Sequence, residues 1–389
     1  MTVKPKVALI GMGFSGFQPT TPHASFRELM FEAALKAYNM AGIEDPRSTV
    51  DAFISCQEDY WEGIAIADEF APEPIGGVLR PTFTVSGDGL QGLAQAAMLI
   101  QTGYFDVVAV EAHGKPSDIV DLGKIYELAL DPLYTRPIAP SRSTPHFIAA
   151  MDAVAYMESR GVGVEELAEV AAKNKNNGLA NPLASYAANV SVDEILESKI
   201  VAYPLTEYEI APPVDAALVA VLASDTAVER LDAWDTAVWL EGIGYSTETY
   251  LPERHVWGSM PSIRQAALAA YTEAGITSPL DQIDFAEVDD RYSYMELLSL
   301  EEALLGGDAV GMLRSGTVYP DGGFPVNASG GSLAAGAPFE ATGLMRTYFA
   351  YTRLLAMGEG RGLVVSWRGP PTYTSAVAVL SYYSGGEAA

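Results

Sequence analysis

Ser86 stands in a Ser-Gly-Asp-Gly turn between a β-prone segment, Thr82, Phe83, Thr84 and Val85, and a helix that opens at Leu90. Leu90, Leu93, Ala94, Ala97 and Ile100 recur at spacings of three and four, giving that helix one apolar stripe. A side chain held where a strand breaks into a buried helix sits beside unpaired backbone N–H groups and the positive end of the helix dipole. Such a place suits a nucleophile or the stabilisation of an oxyanion. A serine hydroxyl there needs a positioned general base; otherwise Ser86 is a small polar filler or a hydrogen-bond donor to a substrate carbonyl. Its backbone N–H, paired with one from the loop around Gly369, would make an oxyanion hole without the side chain. Asp88, in the same turn, is either new chemistry or a cap on the helix.

A second group closes the strand expected at 283–288, where the chain reads DDRYSY. Asp289 and Asp290 there form a candidate coupled carboxylate pair for acid/base work. Asp290 has two structural alternatives, capping the helix around Met295 or pairing with Arg291. Tyr292 and Tyr294 are candidate phenolic acids or core aromatics. Asn327 and Gly336 lie in a glycine-rich loop, NASGGSLAAGAPFEATG, as candidate ligand contacts, and His146 is the histidine nearest a pocket-forming segment. His23, His113 and His255 show no metal-ligand spacing. Cys56 is a lone thiol with no basic neighbour, expected in a loop after a strand and read as structural.

The elements that must position these residues follow from periodicity. A strand at 6–10 runs into GMGFSG, whose glycines match a dinucleotide fingerprint; Pro19 and Pro22 follow where that motif needs a helix, which argues against nucleotide. Ser25 and Glu28 make a capping box for a helix over 25–41, with Phe26, Leu29, Met30, Ala33 and Ala37 inward. Strands are expected at 50–55 and 105–111, around an irregular segment at 56–81 containing Asp59, Tyr60 and Trp61, which predicts a parallel sheet with helices on its faces. Residues 114–147 read as a Pro-rich insertion, then helices over 147–159 and 163–176 and a polar turn at 173–186. An apolar strand ends near 224, and 225–238 reads as a joint. After it come strands at 238–244, 283–288, 362–366 and 375–382 and helices at 262–274, 295–305 and up to 357. Two rounds of strand and helix suggest an internal duplication.

Composition narrows the class. With 389 residues, 49% of them hydrophobic, and mean hydropathy +0.12, the chain supports one large or two medium globular domains. No apolar run reaches about 18 residues and no signal-peptide pattern is visible, so a soluble cytoplasmic protein is expected. Fifty acidic against twenty-three basic residues give −27, which disfavours nucleic acid and anionic membranes as partners.

Taken in order, VALIGMG, the Ser86 turn, KNKNNGLANP, PPVDAALVAVLAS, AEVDDRYSYMEL and NASGGSLAAGAPFEATGL resemble the thiolase superfamily, in its archaeal acetyl-CoA acetyltransferase and sterol-carrier-protein branch. The resemblance implies an α/β thiolase fold with two duplicated halves, 1–225 (with a loop insertion at about 114–200) and 226–389, in a five-layer α-β-α-β-α arrangement. It also implies a coenzyme A thioester as substrate, no bound cofactor or metal, a homodimer, and an OB-fold, zinc-ribbon partner protein. The family's nucleophilic cysteine falls on Ser86, its Gly-His-Pro histidine on Ala337, its second cysteine near Ser366 or Trp367, and its Asn or His on Asp289. Three readings follow: acyl-CoA carbon–carbon chemistry of retro-aldol type without a cysteine-bound acyl group, a non-catalytic subunit of a heteromeric thiolase or acyltransferase complex, or an acyl-CoA or lipid-binding protein.

Overall fold

The computed structural model describes residues 4–57, 67–123, 144–249, 251–369 and 374–384. Asp59, Tyr60 and Trp61 and most of the 114–147 insertion lie outside them. Among the described residues nine strands form the main sheet: β1 (Val7–Gln18), β2 (Ala52–Cys56), β3 (Thr82–Val85), β4 (Val107–Gly114), β5 (Asp215–Ser224), β6 (Val238–Thr247), β7 (Phe285–Glu287), β8 (Glu359–Arg368) and β9 (Thr374–Tyr383). The longer helices among the described residues are α1 (Phe26–Met40), α2 (Gly89–Gln101), α3 (Thr144–Arg160), α4 (Val164–Asn177), α5 (Pro261–Ala274), α6 (Ser293–Ala303) and α7 (Thr342–Met357).

The strands run in the order β3-β2-β4-β5-β1-β6-β9-β8-β7. β1 and β6 touch only where Ala8 and Leu9 face Trp239 and Val238, so the order divides there. On either side the pairing repeats. β5 lies antiparallel between β1 and β4, and β9 lies antiparallel between β6 and β8. β2 pairs parallel with β4 as β7 does with β8. Beyond β7, Val326 bridges Ala286 in parallel, taking the place that β3 holds beside β2. The sheet is therefore mixed, not parallel as the strand–helix alternation predicts. The reason is that β5 and β9 enter from long-range and hairpin connections rather than from strand–helix–strand crossovers.

Side-chain alternation builds the layers. Along β5, Ala217, Val219 and Val221 face α1, while Ala216, Leu218, Ala220 and Leu222 face the interior helices α2 and α7. Along β9, Ala376, Ala378 and Leu380 join that same interior cluster, while Val377 and Val379 face α5 and α6. Helix, sheet, helix, sheet, helix are thus five layers, with α2 and α7 at the centre.

The glycine fingerprint lies inside β1, which runs on to Gln18. A Cβ on Gly11 would stand 2.4 Å from the Ala37 carbonyl oxygen, and one on Gly13 2.2 Å from that of Ala33. These glycines let α1 lie close on its strand, and the nucleotide reading has no helix N-terminus to use. The Ser25–Glu28 capping box forms as expected. The helix expected over 163–176 forms as α4 and runs to Asn177, so the polar turn expected from 173 begins only at Gly178, because the side chains of 173–177 bond inward rather than to solvent.

Candidate active site where two helix N-termini meet

Asp88 is the N-cap of α2, accepting from Leu90 N at 2.9 Å, and its other oxygen accepts from Gly343 N, in the first turn of α7, at 2.8 Å. One carboxylate therefore ties together the two central helices at their positive ends. A Cβ on Gly343 would meet it at 1.7 Å, so glycine is required for the approach. Burial pushes the Asp88 carboxyl up to about 6, against the two backbone N–H bonds and the charges of Arg346 and Arg291. Its role is the capping one of the two expected. Ser86, two residues earlier, is exposed, and among the described residues its side chain makes no hydrogen bond.

The strand ends opposite are organised by Arg346 of α7, which is fully buried. Its guanidinium donates to the Val288 carbonyl at 3.1 Å, Ser366 Oγ at 3.1 Å and Ser332 Oγ at 2.8 Å, and lies 3.2 Å from Asp289 and 3.6 Å from Asp290. Asp289 also accepts from Arg291 N at 3.0 Å. Arg291 in turn stacks over Trp367, 4.8 Å from its ring centre, and donates to its carbonyl, which brings the segment leading to Gly369 alongside. Asp290 accepts from Ser332 N at 2.7 Å and Leu333 N at 3.1 Å, so it caps the short helix Gly331–Ala335. That corrects both alternatives for Asp290: α6 starts at Ser293 with Tyr292 as its cap residue, and Arg291 reaches Asp289 instead. Burial raises the Asp290 carboxyl to about 6, with Arg346 opposing and Glu296 adding to the rise.

Tyr292 and Tyr294 part company. The Tyr292 hydroxyl lies 3.0 Å from His146 Nδ1, and the rings meet edge to face. His146 is in the first turn of α3, and burial pushes its pKa below the usual imidazole value. Tyr294 turns away into the core beneath α5 and α6 and donates to Asp152 at 3.1 Å. Asp152 also faces His255, which burial alone would push down but which the Asp152 and Glu248 carboxylates hold at about 9. That group braces the fold and does not join the cluster.

Asn327 is buried with φ 48°, accepts from Val288 N at 2.8 Å and donates to Glu296 at 2.7 Å. Gly336, at φ 91°, turns the chain so that Ala337 N donates to the Pro212 carbonyl at 2.8 Å. Both residues shape backbone; neither presents a free polar side chain. Cys56 ends β2 rather than lying in a loop, fully buried against Gly92 of α2, whose added Cβ would stand 2.1 Å from the sulfur. Burial, then the carboxylates of Glu111, Asp88 and Glu340, push its thiol well above the ordinary range.

A family description, "Thiolase C-terminal domain-like", matches residues 245–361. The acetyl-CoA acetyltransferase of Methanothermobacter thermautotrophicus is 30% identical over 350 residues, 87% of this chain and 88% of that one. The chain belongs to the thiolase superfamily. Human sterol carrier protein 2 is 26% identical, with 87% of this chain covering 64% of that protein. Among solved structures, one described as an Ltp2-ChsH2(DUF35) aldolase superposes with TM-score 0.80 at 21% identity, covering 98% of this chain and 99% of that one.

Within this thiolase scaffold the residues that sequence reasoning missed are the buried cations and their partners. Arg346 reads as one charge in an apolar helix, GLMRTYFAY, where a snorkelling surface residue is the ordinary expectation. Lys173 is equally buried: it sits 3.0 Å from Glu296 and donates to the Val326 carbonyl at 2.9 Å. Asn174 donates to Asp290 at 2.9 Å and Glu296 at 2.7 Å. The charge density of KNKNN inside an amphipathic helix was the available signal. Among the described residues no group of three His, Cys, Asp or Glu side chains is placed to hold a metal ion, and no helix is long and apolar enough to cross a membrane.

Proposed function

We propose that this chain acts on an acyl-CoA by retro-aldol cleavage, or the reverse condensation, without an acyl group carried on cysteine. The observation that carries the reading is the His146–Tyr292 pair, 3.0 Å apart, beside the Asp289–Arg291 strand end. The β-hydroxyl proton of the substrate passes to the Tyr292 oxygen as the Tyr292 proton moves to His146 Nδ1. The β-carbon then becomes a carbonyl, the bond between the α- and β-carbons breaks, and its electron pair enters the thioester as an enolate. Backbone N–H groups at Ser86 and Gly369 hold the enolate oxygen, and a proton returned to the α-carbon completes the acyl-CoA. A histidine held below its usual pKa is neutral at pH 7 and ready to accept.

The reading extends to assembly. The proposed unit is a homodimer joined by an OB-fold, zinc-ribbon partner, with halves 1–225 and 226–389 and a cytoplasmic setting. The structurally similar aldolase carries a DUF35 component in its description. At −27 the chain repels the phosphates of coenzyme A, and a basic partner would offset this. A second reading, a non-catalytic subunit of a heteromeric thiolase or acyltransferase complex, rests on Asp88, Asp289 and Asp290 all being held by structural partners.

The test is to supply β-hydroxyacyl-CoA to the chain alone and with its partner and follow aldehyde or ketone. Tyr292→Phe and His146→Ala should each lower kcat by about 10²–10⁴-fold, with Ser86→Ala within about threefold because no base activates it. Product release indifferent to both Tyr292→Phe and His146→Ala, or an acyl adduct trapped on Ser86, would reject the reading. Activity of the complex that survives every one of these substitutions would favour the subunit role.

A further inference from the structure

Arg353, two turns along α7 from Arg346, and Glu287, on β7 two residues before Asp289, both line a cavity of about 380 Å³. Its walls come from β1, the segment after α4, the glycine-rich loop and α7, so it lies between elements far apart in sequence. Phe14, Leu183, Tyr348 and Phe349 make it largely apolar. Asn181, Glu287, Ser329, Thr352 and Arg353 bring polar groups to its wall.

Their hydrogen bonding is unequal. Glu287 is buried and satisfied, accepting from Ser329 Oγ at 2.6 Å and Ser329 N at 3.3 Å. Arg353 stacks over Phe285, 4.8 Å from its ring centre, and its buried Nε has no hydrogen-bond acceptor. A buried guanidinium N–H without an acceptor costs free energy that an incoming acceptor recovers. The size suits a small organic molecule, and a largely apolar cavity with a few convergent polar groups is the usual form of such a site.

We propose that this cavity is a second ligand site, taking a small aromatic or branched carboxylate whose anion pairs with Arg353 while its body lies among Phe14, Leu183, Tyr348 and Phe349. An acceptor suits Arg353 Nε, which has none, whereas Glu287 is engaged by Ser329 and its carboxyl, pushed up to about 7 by burial, is held down in part by Ser329 and the Arg353 charge. An inorganic anion would leave the aromatic wall unused. A cation would meet the Arg353 charge. Substrate chemistry at the strand ends does not enter this argument, and binding is read directly, so the site stands or falls separately from the retro-aldol reading.

The experiment is calorimetric titration of the full chain with benzoate, and with its neutral and cationic counterparts benzamide and benzamidine. Benzoate should bind saturably and more tightly than either. Arg353→Gln should weaken it by about tenfold or more, the usual loss when one partner of a charge-assisted pair goes. Ala180→Trp, placed at an exposed position on the cavity mouth, should obstruct entry and weaken benzoate by a similar factor. It leaves the Arg353 charge in place, so it tests the site even if Arg353→Gln fails to fold. Benzoate that does not saturate, that binds Ala180→Trp as well as the parent chain, or that binds more weakly than benzamidine would overturn the proposal.

Discussion

At the scale of single residues, Ser86 and Cys56 sit in opposite surroundings. Ser86 is accessible and its side chain has no hydrogen-bond partner among the described residues, while Cys56 is surrounded and shut away. A thiol reacts as its thiolate, and burial plus three neighbouring carboxylates all disfavour that charge. Native protein is therefore expected to leave Cys56 unlabelled by a thiol-reactive disulfide reagent at pH 8, with one equivalent taken up on unfolding in guanidinium. Rapid native labelling, measured by absorbance and intact mass, would show a more accessible and more acidic sulfur. The sequence shows that Cys56 has no basic neighbour; its burial at the end of β2 against Gly92 is a tertiary fact. Arg346 was not legible, because what distinguishes it from a surface arginine is the meeting of Val288, Asp289, Ser332 and Ser366 around it, and these come from separate segments.

At the scale of elements, Asp88 couples α2 to α7 through two backbone N–H groups, so one carboxyl affects both central helices. Its folded pKa of about 6 lies above the ordinary 3.8. The folded state thus holds the proton more tightly than the unfolded chain. The contribution of this group to stability is fully present below pH 4 and is lost as pH rises through 6. Its size is at most about 3 kcal/mol. Asp88→Asn should make the dependence of unfolding free energy on pH less steep between 4 and 7 by an amount up to that limit, as read from urea midpoints at constant m. It should also cost about 1–3 kcal/mol at pH 4 through the lost acceptor geometry. An unchanged pH slope would show that the carboxyl titrates normally. The cap itself could be read from the sequence, since Asp before Gly and an apolar helix is a local signal. Its second partner could not, because Gly343 lies 255 residues away. The same division holds for the sheet: the strand positions of β5 and β9 follow from short apolar runs buried on both faces, but their antiparallel placement is a long-range fact. The expected β2 and β7 were longer than the strands formed, because ladder partners end there and flanking apolar residues such as Val50 and Val288 are buried outside the ladder.

At the scale of the whole molecule, the edge of the sheet and the net charge oppose each other. β3 pairs only with β2 among the described residues, and Phe83 on it is exposed. An unpaired edge carrying an exposed aromatic is a site for strand addition from another chain, unless covered. The proposed homodimer would cover it. Two copies of a chain at −27 repel, and that repulsion is screened within about 10 Å at 0.1 M salt. Dimerisation driven by strand pairing and aromatic burial should therefore strengthen as sodium chloride rises from 20 to 300 mM, by sedimentation velocity at about 10 mM buffer. Association with a basic partner has the opposite sign, since screening removes an attraction and slows encounter. The two dependences separate the assemblies in one titration. Phe83→Asp, which adds charge and removes the aromatic at the edge, should give monomer at every salt concentration. A dimer that persists in Phe83→Asp, or weakens with salt in the parent chain, would place the interface elsewhere.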